Sequence, residues 1–159
     1  MKGEAAMTTT FDFGDGKGPV PARRHRNPDG GTGGWVAKTA HVDPSVEMVP
    51  SARVFGRARV RGNASLGFDV LIYGEAEVSD EAMVTAAATV SGNAKVSGTA
   101  TVWGKARVRG NAIVSGNAEV GGGAELRGTV MVTGDAVVTG GVHRDGVIDE
   151  APEDDGPKM

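Results

Sequence analysis

Residues 90–120 read VSGNAKVSGTATVWGKARVRGNAIVSGNAEV, and within this stretch every sixth residue is aliphatic: Val90, Val96, Val102, Val108, Val114 and Val120. Four positions after each anchor stands a small residue: Ala94, Ala100, Ala106, Ala112 and Ala118. Followed outward, the cadence runs unbroken from Val36 to His143, with anchors such as Val54, Leu66 and Ile72 upstream and Leu126, Val132 and Val138 downstream. All eighteen anchors are aliphatic or Met. The second position is Ala in fourteen hexads and Val in four, at Val46, Val70, Val130 and Val142. Gly follows two residues after the anchor in twelve of eighteen hexads, and Asn, Asp or Gly often comes next, as at Asn93, Asn111 and Asp135.

The physics of that pattern is specific. The small residue and the aliphatic anchor lie two apart, so both point to the same side of a short strand. Gly followed by Asn, Asp or Gly suits a tight corner with positive φ. A helix is excluded, because a repeat of six with Gly in each unit matches no 3.6-residue face. Each hexad is therefore a strand plus a corner, and three hexads close one coil of a three-sided prism. Eighteen hexads predict six coils stacked at about 4.8 Å, a column roughly 29 Å long.

Residues 90–120 resemble the hexapeptide-repeat proteins, whose fold is the left-handed parallel β-helix, a triangular all-β solenoid; the handedness comes from the resemblance. The segment GGWVAKTAHV, with Gly33, Gly34, Trp35 and Val36, is similar to the start of a subgroup of phage, prophage and bacterial members whose solenoid opens with Gly-Gly-Trp-Val. The resemblance implies a homotrimer. For function it is broad, since this fold hosts acyltransferases, carbonic anhydrases, ice-binding proteins and non-enzymatic modules.

Counting in steps of eighteen assigns the outward residues to faces. One column of the first face holds Trp35, Arg53, Leu71, Thr89, Arg107 and Glu125; the other holds Ala37, Phe55, Tyr73, Ser91, Arg109 and Arg127. Trp35, Phe55, Leu71 and Tyr73 thus form an aromatic patch that needs a partner. It is expected to be a subunit interface, a seat for the N-terminal arm, or a ligand platform. Trp103, on the third face, is a further candidate for an interface or ligand platform. Arg107, Arg109 and Arg127 gather lower on the first face, as solvated surface or an anion contact. The repeat region carries ten basic and ten acidic residues, a balance that argues against duplex nucleic acid as partner.

Enzyme chemistry has few carriers here. The chain has no Cys, so thiol nucleophiles and Cys-type zinc sites are excluded. Its His residues are His25, His41 and His143. The last two are separated by nearly six coils, about 27 Å, so no shared metal site is expected. His41, with Asp43 on the same strand and His25 as a possible neighbour, is the one candidate general base on the regular surface. The expected function is a non-catalytic scaffold or binding module without cofactor, binding a host protein or small molecule, with an anti-defence role among the options. The alternative is an acyltransferase-like enzyme using acyl-CoA, with His41 as base.

Outside the repeat, residues 1–35 form a Gly- and Pro-rich arm, expected to be irregular or extended, with Phe11, Phe13, Val20 and Pro21 capping the first coil. Residues 144–159 form an acidic tail, expected to be disordered from about Ala151, with Val147 and Ile148 folding over the last coil. The 159 residues carry a net charge of −3. No apolar run approaches the roughly 18 residues of a membrane helix and no signal-type segment opens the chain, so a cytoplasmic location is expected.

Overall fold

A computed structural model describes residues 9–150. The chain is all-β and winds as a parallel β-solenoid of about six turns. Three strands precede the regular winding: β1 (Thr10–Asp12), β2 (Pro19–Arg26) and β3 (Thr32–Ala37). Two-residue strands then recur from β4 (His41–Val42) to β22 (Val147–Ile148). They stack into three sheets of nine, seven and six strands, one for each side of the prism. The eighteen-residue register holds along the first face, where Trp35 pairs Arg53, Arg53 pairs Leu71, Leu71 pairs Thr89, Thr89 pairs Arg107 and Arg107 pairs Glu125.

The core is a column of anchors and small residues. From Val54 to Val132 all but one of the anchors are completely buried, Leu66 retaining 2%, and every Ala from Ala52 to Ala136 at the second position is closed to solvent. Each Val-sized anchor contributes about 1.5–3 kcal/mol on burial. Ala adds little energy, but its small size lets three walls meet across a narrow interior.

The corners have the positive φ expected from the Gly-Asn, Gly-Asp and Gly-Gly pairs, and the structure assigns it to one residue of each pair. Positive φ falls on the Gly itself, not on the Asn that follows: Gly92 has φ 64 and Gly110 φ 66, while Asn93 and Asn111 are in the ordinary region. A Cβ on Gly74 would stand 2.8 Å from the Gly92 nitrogen, so stacked corners leave no room for a side chain. The following residue instead joins coil to coil, as in Asn93 N to Gly110 O at 2.8 Å. Asp69, Asp80, Ala86 and Ala87 adopt positive φ without being Gly, and Ala86 and Ala87 do so in succession.

The N-terminal arm takes the extended alternative and becomes part of the sheet. β1 pairs β2, and β2 pairs β3, both antiparallel, which covers the open edge of the first face. Over the third face the arm works through side chains. Along the solenoid, flanking N–H groups donate to carbonyls one coil later, as in Glu47 N to Ala64 O at 3.2 Å and Val49 N to Leu66 O at 3.1 Å. The matching first-coil carbonyls of Val46, Met48 and Pro50 have no earlier coil. His25 donates from Nε2 to Val46 O at 2.7 Å, Asn27 from Nδ2 to Met48 O at 3.0 Å, and Arg24 from Nη2 to Pro50 O at 3.5 Å. Asn27 Oδ1 also accepts from Met48 N at 2.9 Å.

At the other end the cadence changes. Glu125 pairs Val142 and Leu126 pairs His143, then Met131 pairs Val147 and Val132 pairs Ile148. The steps from Val138 to His143 and from His143 to Ile148 are therefore five residues, not six. Two expectations are corrected by this. Val142, read as an inward residue, is 51% exposed because the shortened corner turns it to the outer column. Val147 and Ile148 do not fold over the last coil; they continue the winding as a strand of the seven-stranded sheet, past the boundary at 143. The expected disorder from Ala151 falls outside the described residues.

Candidate functional site

The aromatic patch is assembled from the first coils and the N-terminal arm. Trp35, Phe55 and Tyr73 project from successive coils of the first face, and the arm lays Phe11 and Phe13 against them. Phe13 stacks on Phe55 with centroids 4.8 Å apart, and Phe55 stacks on Tyr73 at 4.9 Å, so three rings repeat at the coil spacing. Phe11 stacks on Trp35 at 4.6 Å and meets Phe13 edge-on at 4.9 Å. The guanidinium of Arg24 lies 5.0 Å from the Trp35 ring. Phe13 and Phe55 are buried, while Trp35, Leu71 and Tyr73 are half-buried around them. The chain's own arm thus occupies the patch. Trp103 stands apart on the third face, its ring lying where a Cβ on Gly121 would be, 1.9 Å from the ring carbon.

His41 and Asp43 do meet. His41 donates from Nε2 to Asp43 Oδ1 at 2.6 Å, and Asp43 Oδ2 accepts from Gly62 N at 3.0 Å. The Gly62 N–H, and next the His41 hydrogen bond, hold the Asp43 carboxyl below its ordinary range. The pair lies on a flat face with His41 exposed. His25 does not join it, because its ring is buried in the cap against Val46. His143 turns to Gly140 O at 2.9 Å. Among the described residues no three His, Asp or Glu side chains are grouped to hold a metal ion, and no helix is long and apolar enough to cross a membrane.

The lower first face gains a residue that stepwise counting missed. Steps of eighteen from Arg127 reach Asp145, but the five-residue step places Arg144 there instead: Arg127 N donates to His143 O at 3.0 Å and Thr129 N to Arg144 O at 2.8 Å. Arg109, Arg127 and Arg144 therefore follow one another down one column, with Arg107 beside them. Glu125 is the carboxylate among them. It is ion-paired with Arg109, which together with the nearby charges of Arg127 and Arg107 keeps it ionised below the usual glutamate range. Arg127 Nε is buried with no hydrogen-bond partner. The spacing of Val142 and Val147, and of Gly141 and Gly146, by five was the signal available in the sequence.

A shallow groove of about 330 Å³ opens on the third face, where Gly67 leaves a notch between Val49 and Thr85, flanked by Pro50 and Met83. Compared with known proteins, the chain matches no family model, no curated protein and no solved structure.

Proposed function

We propose that this chain is a non-catalytic solenoid of the hexapeptide-repeat kind, wound left-handed and assembled as a homotrimer, that serves as a rigid scaffold or binding module in the cytoplasm. A host protein or a small molecule is its partner. The observation that carries the reading is the winding itself: from Val36 to Ile148 the described strands follow one another at five- or six-residue steps, with no loop thrown out to build the wall of a reaction cleft. A face made of one exposed side chain every second residue offers contacts at fixed spacing, which suits recognition better than water-excluded chemistry.

The second reading, an acyl-CoA-dependent acyltransferase, is favoured by one feature. Asp43 orients His41 as an orienting carboxylate does for a general base. Against it, the pair lies open to water on the flat second face. Thermal-shift titration with acetyl-CoA, alongside native mass measurement, separates the two. The scaffold reading expects a mass of three chains and the same acetyl-CoA response in wild type and His41→Ala. An acetyl-CoA stabilisation abolished by His41→Ala would replace it with the enzyme.

A further inference from the structure

The lower first face stacks guanidiniums on successive rungs of one column. Parallel stacking sets successive rungs about 4.8 Å apart, so the column Arg109, Arg127, Arg144 places three guanidiniums on adjacent rungs, with Arg107 on the neighbouring column. Like charges directly opposite on a sheet repel. On the second face, by contrast, one column alternates: Glu77 lies between Arg59 and Lys95. Here four guanidiniums stand with one carboxylate on the strand columns, Glu125, already ion-paired with Arg109, and Asp145 follows Arg144 at the corner. Arg107, Arg127 and Arg144 form no ion pair among the described residues. The buried Arg127 Nε is a donor without an acceptor, and an orphaned charged donor is costly unless something supplies a lone pair.

We infer that this ladder is a binding site for a phosphoanion with several charged groups in a row, of the triphosphate class. A single small anion answers one guanidinium. A chain of linked phosphates presents oxygens to two or three rungs at once and supplies acceptors to the Arg127 guanidinium, whose Nε has none within the protein. Guanidinium forks match phosphate oxygens bidentately, with short charge-assisted bonds. The ligand source is either inorganic triphosphate or a nucleoside triphosphate, whose base would lie toward Tyr73, two rungs above Arg109 on the same column. The inference deepens the binding-module reading and rests on it only in treating the site as one that binds without reacting.

The test is calorimetric titration of the full chain at low salt with inorganic triphosphate, pyrophosphate, phosphate and ATP. Saturable binding is expected for triphosphate, weakening in the order triphosphate, pyrophosphate, phosphate, and falling as salt is raised. Arg127→Gln and Arg144→Asp should each weaken triphosphate by about tenfold or more, while Arg57→Gln on another corner leaves it unchanged. Glu125→Gln removes the competing carboxylate and should tighten binding. ATP binding well above triphosphate assigns the ligand as a nucleotide, and equal binding assigns it to the phosphate chain alone. No saturable triphosphate binding by the folded protein, or binding indifferent to both Arg127→Gln and Arg144→Asp, overturns the site. Neither result bears on the acetyl-CoA comparison, which tests His41. The two failures are thus distinguishable.

Discussion

Gly34→Ala should loosen the first coil and little else. A Cβ at this position would stand 1.9 Å from the Ala52 carbonyl oxygen and 2.8 Å from the Met48 Cε. The methionine tip can swing aside, but the Ala52 oxygen belongs to the backbone of the next coil. Relief requires β3 to lift away by more than an ångström, which breaks the bond from Trp35 N to Ala52 O, now 3.1 Å. Overpacking of this kind costs about 1–3 kcal/mol, and the lost coil-to-coil bond adds about 1 kcal/mol. The sum, about 2–4 kcal/mol, corresponds to a fall in Tm of roughly 5–15 °C at this chain length. Because each coil touches only its neighbours, the damage should be local. Hydrogen exchange should speed up at Trp35, Arg53 and the arm, and stay unchanged from Val96 onward. Gly14→Ala is the control: it meets nothing within 4 Å but has φ +80, so it costs about 1–2 kcal/mol of backbone strain without opening the coil. An unchanged Tm and exchange pattern in Gly34→Ala would refute the claim that the Gly-Gly segment exists for close approach to the coil beneath.

Three further outcomes follow from the same geometry. Ala106→Leu, at a fully buried position, should overpack a filled cross-section and cost about 1–3 kcal/mol in urea unfolding. Ala86→Gly and Ala87→Gly should each raise Tm slightly, since releasing a left-handed Ala from about 1–2 kcal/mol of strain outweighs the roughly 0.4–1 kcal/mol of added chain entropy. Asp43 and Glu125 are both held below their ordinary values, so the stability they confer is complete above about pH 5 and lost as pH falls through their folded values. Tm measured from pH 6 downward should therefore drop more gently in an Asp43→Ala, Glu125→Gln double variant than in the wild type.

The winding was legible because each hexad repeats the same local choice: Ala106 stands two residues before Val108 on one strand, as Ala112 stands before Val114 on the next. The columns followed by arithmetic, which is why Phe55 above Tyr73 and Arg109 above Arg127 were found from the letters alone. What escaped was set by events outside the period. His25 and Asn27 act on carbonyls 21 residues away, a relation no local pattern encodes. The arm strand PVPARRHR carries two Pro and four basic residues, and it is a strand only because β3 offers it an open edge. Arg144 entered its column through a shortened corner, and counting in eighteens passes over it.

That shortened corner has a consequence for how the column ends. The corners between Val138 and His143 and between His143 and Ile148 each omit one residue, while their strands stay paired with the coil before. Full-width coils present a flat terrace on which another layer, from the same chain or a sister molecule, would sit in register. A layer with shortened corners meets a six-residue layer out of step at those corners. Regular stacking is then interrupted at this layer, much as a nut binds where the pitch of a bolt changes.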